Sequence, residues 1–324
     1  MAVYTKISKA ELNNFFKNYE IGKITNFSGI KEGIENTNYL VQTEKNKFIL
    51  TIYEKRINTK DLPFFIGLMT NLYNSNFKCP RPIINKNGNY ISEILGKKAA
   101  VISFLEGSAK KNLSPENCYD IGVETAKLHK ITKNLSFTRQ NNLSLDSWPE
   151  LFSKVEKDCS KIHKNLSKII KISLKEIKKN WPKKLPSGII HADLFPDNIF
   201  FKNEKFTGII DFYFSCYDFY SFEIAVCLNA LCFDGVKENL SFNVTKARKF
   251  IKGYTSVRKL SGDEKKYLKV LAQGASMRFL LTRVFDYLNL SKGALLTIKD
   301  PVEYLKRLEF HNSVKSFEDY CISI

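Results

Sequence analysis

Asp193, Asn198 and Asp211 lie in one stretch, residues 189 to 213, reading IIHADLFPDNIFFKNEKFTGIIDFY. An amide oxygen and a carboxylate side by side, as Asn198 and Asp211 would be, suit a hard divalent cation that keeps several waters and binds substrate phosphates. Asp193, five residues ahead of Asn198, is then left to face an acceptor hydroxyl and take its proton. His191 is better placed to brace the loop backbone than to move that proton. Taken singly, each of these residues is also ordinary turn chemistry, since Asp and Asn are common in loops. It is the joint pattern that points to phosphoryl transfer.

The spacing calls for a hairpin. Ile199 to Phe201 and Phe206 to Ile210 are β-branched or aromatic arms separated by the polar run Lys202 to Lys205. A hairpin brings its ends together, so Asn198 and Asp211 become neighbours although they stand thirteen positions apart.

The pattern H-x-D-x4-N followed by I-I-D-F resembles the catalytic and metal-binding segments of the kinase-like phosphotransferases. Further blocks, GIENTNYLVQTEKNKFILTIYEKR, DLPFFIGLMTNLY, CPRPI, GIIDFYFSCYD, VCLNALCFDG and GASMRFLLTRVFDYLN, are similar to those of the homoserine kinases in the aminoglycoside-phosphotransferase-like class, from about residue 33 to 311. The resemblance implies an α+β, two-lobed protein-kinase-like fold. A small antiparallel-sheet lobe, residues 1–105, would bind nucleotide, and a larger, mainly helical lobe, 106–324, would hold the catalytic and acceptor residues. It implies ATP and Mg2+, with Asp193 as the catalytic acid–base group, and L-homoserine as the phosphate acceptor in threonine biosynthesis. A sibling activity on choline, methylthioribose or an aminoglycoside is the enzymatic alternative; a non-catalytic nucleotide-binding or interaction protein is another.

Gly29 and Gly33, in SGIKEGIENTNY, would let backbone N–H groups approach phosphates, although a hairpin has its own use for glycine. Thr51 stands mid-strand where the family pattern often has a lysine, leaving Lys55 or Arg56 at the strand end, with Lys47 a poorer candidate, as the replacement cation, unless Lys55 and Arg56 are edge surface charges. Ser103 to Gly107, with Ser103 and Leu105, would link the lobes and seat an adenine ring, or serve as a plain linker. Homoserine needs a cation for its carboxylate and an acid for its ammonium. Arg278 and Arg283 are the candidates for the first, though either could brace helices, and Asp218 or Asp193 for the second. Tyr213 and Phe214 would shape the acceptor pocket or simply pack in the core.

The positioning elements follow in chain order. Ser8 with Glu11 starts a short amphipathic helix over 8–19, and strands follow near 24–30, 37–43 and 47–54. A helix from Asp61 to Tyr73 has Pro63 in its first turn and Phe65, Leu68, Met69 and Leu72 as its buried stripe. Strands at 89–95 and 98–104 complete the small sheet. Helices are expected from Ser114 to about Lys130, after a Ser147/Glu150 capping box, over 169–180, from Ser221 to Phe233, and over 243–257 and 263–288. Glu223 would orient the catalytic loop or simply favour its helix terminus.

Bulk properties narrow the class. At 324 residues, 44% of them hydrophobic, with 25 Phe and 15 Tyr, two cores are expected and extensive disorder is not. The charge of +18 comes mostly from scattered lysines with no nucleic-acid-binding module, so nucleic acid is not the expected partner. Seven cysteines without a C-x-x-C predict reduced thiols in cytoplasm. The absence of a secretory leader or an 18-residue apolar run predicts no membrane association. Oligomeric state is left open.

Overall fold

Ser8 and Glu11 close the expected capping box at the head of α1 (Lys9–Phe16): Glu11 N–H donates to Ser8 Oγ at 3.2 Å and Ser8 N–H to Glu11 at 2.7 Å. The computed structural model describes residues 4–30, 36–54, 57–236, 239–289 and 299–320. Two units share the chain, Met1–Ser108 with Phe200–Tyr213, and Ala109–Ile199 with Phe214–Ile324.

In the first unit α1 lays Leu12, Phe15 and Phe16 on an antiparallel sheet, in one core with Val41, Leu50, Ile52 and Val101. Strands β1 (Ile24–Ile30), β2 (Thr37–Thr43) and β3 (Lys47–Ile52) pair in succession. After α2 (Leu62–Asn74) come β4 (Pro82–Ile83), β5 (Ile91–Ile94) and β6 (Lys97–Ser103); β6 pairs with β3, β4 and β5. The α2 stripe is the expected one, Phe65, Leu68, Met69 and Leu72 all being buried, so Met69 is core. Strand β7 is Ser108–Ala109.

The second unit is mostly helical: α3 (Pro115–Thr132), α4 (Trp148–Ser153), α5 (Leu166–Asn180), α6 (Tyr220–Leu231), α7 (Val244–Val257), α8 (Gly262–Asn289) and α9 (Val302–Ser313). The Ser147/Glu150 box expected before α4 does not form. Ser147 already has helical backbone angles and donates its hydroxyl to Ser144 O at 2.8 Å, while Glu150 pairs with Lys154 at 2.7 Å. Two glycines let α3 and α7 approach backbone to backbone. A Cβ on Gly122 would lie 2.1 Å from Phe250 O, and one on Gly253 2.1 Å from Tyr119 O.

Two short ladders frame the motif stretch. Strand β8 (Ser187–Ile190) pairs antiparallel with β11 (Cys216–Phe219), and β9 (Ile199–Lys202) and β10 (Lys205–Ile209) make the expected hairpin. Its turn residues Asn203 and Glu204 have φ of 48° and 61°, the positive pair that a tight hairpin requires. Among the described residues no helix is long and apolar enough to cross a membrane.

Candidate active site

The loop leaving β8 carries His191, Ala192 and Asp193. Ala192 sits at φ 65°, a left-handed conformation that costs a non-glycine residue roughly 1–2 kcal/mol. Its surroundings hold it there. The Glu223 carboxylate, in the first turn of α6, accepts the Ala192 N–H at 3.0 and 3.1 Å and also the His191 N–H. On the other side, the Arg278 guanidinium of α8 donates to Ala192 O. A fully buried acid and a nearly buried base thus grip one strained residue immediately before Asp193.

Asp193 is half-buried. Its N–H donates to His191 Nδ1 at 3.3 Å, and its carbonyl accepts Phe195 N–H at 2.8 Å and Asn198 Nδ2 at 2.8 Å. Asn198 Nδ2 also reaches Asp193 Oδ2 at 3.1 Å. The Asn198 amide therefore spends its nitrogen on Asp193, and its oxygen, the atom a cation needs, is the one left over. Burial raises the Asp193 carboxyl above the ordinary range, and the charge of Arg278, then Lys299 and the Asn198 hydrogen bond, oppose it. Glu223 is pushed up to about 7 by burial, against the pull of its two backbone donors and Arg278.

The two arginines five positions apart have different surroundings. Arg278 is 2% exposed, stacked on Phe279 at 4.6 Å and facing Phe214 at 5.7 Å; its Nε has no hydrogen-bond partner among the described residues. Arg283 instead braces α8 to the segment entering α9, donating to Asp300 O and Glu303 at 3.0 Å over the Tyr304 ring at 4.4 Å. Asp218 lies in the same unit as Asp193. It accepts Asn141 Nδ2 and Phe219 N–H, each at 2.7 Å, and burial raises its carboxyl.

In the first unit Asp211 follows β10 as an exposed residue at φ 63°, left-handed like Ala192. Tyr213 bonds Tyr53 at 3.1 Å and meets Phe65 edge to face at 5.5 Å. Burial pushes its hydroxyl up to about 12. Thr51 is 2% exposed and donates to Asn38 at 2.8 Å, so the middle of β3 carries a neutral side-chain pair. Gly29 is exposed on β1 opposite Tyr39. Ser103 ends β6, its Oγ accepting Arg81 N–H at 2.8 Å, and Leu105 packs beside Gly208. Gly33, Lys55 and Arg56 lie outside the described residues.

No cluster of three His, Cys, Asp or Glu among the described residues can hold a metal. Asn198, in the second unit, offers an amide oxygen, and Asp211, in the first, a carboxylate; each is a donor type that a hard divalent cation accepts. Sequence reasoning passed over Asn141, which orients Asp218 from 77 residues away. It also passed over Tyr304, a fully buried phenol whose hydroxyl feels the charge of Asp193. Neither carries a local signal.

Comparison with known proteins gives a consistent picture. Residues 26–259 match the phosphotransferase enzyme family. The chain is 49% identical to a homoserine kinase of Xanthobacter autotrophicus over 99% of both chains. It is 42% identical to a homoserine kinase of Mesorhizobium japonicum over the same share of each. Its fold is similar to that of an amicoumacin kinase solved with AMP-PNP, Ca2+ and its ligand, with a TM-score of 0.70 at 13% identity, covering 96% of this chain and 95% of that one.

Proposed function

Because the chain belongs to the phosphotransferase enzyme family, we propose that it transfers the γ-phosphoryl group of ATP to the side-chain hydroxyl of L-homoserine. The products are ADP and O-phospho-L-homoserine, on a route to threonine. The observation that carries this reading is the gripped Asp193 loop: Glu223 and Arg278 hold Ala192 by its N–H and its carbonyl, His191 accepts the Asp193 N–H, and Asn198 donates to the Asp193 carbonyl and carboxylate, with the Asn198 amide oxygen left over. Full-length relatives named as homoserine kinases supply the acceptor.

Phosphoryl transfer asks for alignment and charge neutralisation more than covalent help. Asp193 accepts the hydrogen bond, and finally the proton, of the homoserine hydroxyl. His191 fixes the Asp193 backbone. Asn198 and Asp211 would hold magnesium, which when bound neutralises donor phosphate charge. Asp218, already steadied by Asn141, faces the ammonium, and Arg278 supplies the positive charge the acceptor carboxylate calls for. Arg283, which donates to Glu303, is the less favoured of the two candidates. Residues 1–105 take the nucleotide, with Gly29, Gly33, Ser103 and Leu105 at its phosphates and base and Lys55 as the strand-end cation. The six described cysteines, all buried free thiols, suit a cytoplasmic enzyme.

An acceptor panel at saturating Mg-ATP tests the assignment. ADP release is expected to be stimulated by L-homoserine well above L-serine, choline, methylthioribose or an aminoglycoside. Equal or greater stimulation by any of these others moves the acceptor to that compound.

A further inference from the structure

We infer that the groove between α5 and α8 is a binding site for a small, multiply charged anion, separate from the phosphotransfer centre. The groove encloses about 1000 Å³ within the second unit, and Lys179, Lys183, Lys184, Lys266 and Lys269 line it. Only two carboxylates, Glu176 and Asp263, share that lining. No ion pair within 4.0 Å joins any of the five lysines to an acid among the described residues, whereas the neighbouring Lys171 is paired with Glu156. Like charges gathered in one concavity repel each other and focus a positive potential there. An anion with two or more charges relieves that repulsion by charge-assisted hydrogen bonds.

The floor of the groove is built rather than incidental. Trp181 lies over Gly274 of α8, where an added Cβ would stand 2.4 Å from the indole. The same indole packs edge-on against Trp148 at 5.6 Å and against Phe222 at 5.9 Å. A side chain at 274 would displace the indole; glycine lets it seat on α8. The ligand class follows from the lining: lysine ammonium groups are compact point charges that take phosphate or carboxylate oxygens without demanding a planar partner. Five of them exceed what a monoanion can neutralise.

Of the two tryptophans of the chain, Trp181 lines the groove and the fully buried Trp148 packs directly behind it, so intrinsic tryptophan emission reports on the groove. The test is to titrate the full chain with inorganic tripolyphosphate in magnesium-free buffer at low salt, following that emission. Parallel arms use sulfate, a short DNA duplex, the charge-reversal variant Lys183→Glu/Lys184→Glu/Lys266→Glu, and Asp211→Ala. The expected result is a saturable emission change in the wild type, about tenfold or more weaker in the charge-reversal variant and weakened by added salt. It is retained in Asp211→Ala and much weaker with sulfate. The charge-reversal variant should turn over homoserine at the wild-type rate, which also shows that it folds. No emission change, an unaltered midpoint in the charge-reversal variant, or a change lost in Asp211→Ala would each overturn the site. Tighter binding of the duplex than of tripolyphosphate would overturn the small-ligand assignment.

Discussion

At the level of single residues, the proposed chemistry gives the proton to Asp193, whose carboxyl is raised by burial yet must be ionised to accept it. Turnover should therefore fall on the acid side as Asp193 protonates, at a pH above that of an ordinary aspartate. Asp193→Asn keeps the shape and the Asn198 contact but removes the proton acceptor. We expect a loss of about 10²–10⁴-fold in kcat with an unchanged melting temperature; near-normal turnover would remove Asp193 from this role. Glu223 acts through position. With its carboxyl at about 7 in the folded chain against an ordinary glutamate value of 4.5, the folded state binds its proton more tightly than the unfolded chain does. The stability this proton contributes is complete below about pH 4.5 and is lost as pH rises through about 7. Paired denaturation curves should show the stability of the wild type, relative to Glu223→Gln, decreasing from about pH 5 to about pH 8. A flat difference contradicts the assignment. Because glutamine replaces one accepting oxygen with an NH2 that only donates, and so loses the second contact to Ala192 N–H, kcat should also drop by up to about 10²-fold, with less change in KM.

Elements make that positioning possible, and they differ in how far they could be read in advance. Helix α1 was legible to its cap because Ser8 and Glu11 are three positions apart and the hydrogen bonds are local. The β9–β10 hairpin was legible for the same reason, its arms and its polar turn being contiguous. The Ser147/Glu150 box failed because the Ser147 backbone is already helical, a conformation set by what surrounds it rather than by the two side chains. Long-range pairings were out of reach: Asn141 with Asp218, Arg278 with Ala192, and the mutual approach of α3 and α7. That last contact depends on space alone, since Gly122 and Gly253 both occupy ordinary helical positions. Gly122→Ala puts a methyl group against Phe250 O, and the expected cost is about 1–3 kcal/mol or more of unfolding free energy. Chemical denaturation would measure it. A neutral result would mean that the helices separate at little cost. Gly253→Ala should behave alike, and the double variant should cost less than the sum, because one separation relieves both clashes.

For the whole molecule, the motif was readable while the assembly that serves it was only partly so. H-x-D-x4-N and the later Asp211 sit within 25 residues of sequence, so a cation pair and a base could be proposed together. That Phe200–Tyr213 would join the N-terminal unit, while Asp193 and Asn198 belong to the other, could not be anticipated from spacing. The charge of +18 also divides unevenly in meaning. Much of it is scattered lysine, but five lysines collect in one groove on the helical unit. The central claim, that Asp193 takes the proton of the homoserine hydroxyl as that hydroxyl receives the phosphoryl group of ATP, has a direct test in phosphorus NMR of the product. With L-homoserine, ATP and magnesium, the wild-type chain should yield a new phosphomonoester resonance coupled to the side-chain methylene, together with ADP, and Asp193→Asn should yield neither over the same interval. Inorganic phosphate with no phosphomonoester from the wild type, or an undiminished phosphomonoester from Asp193→Asn, would contradict it.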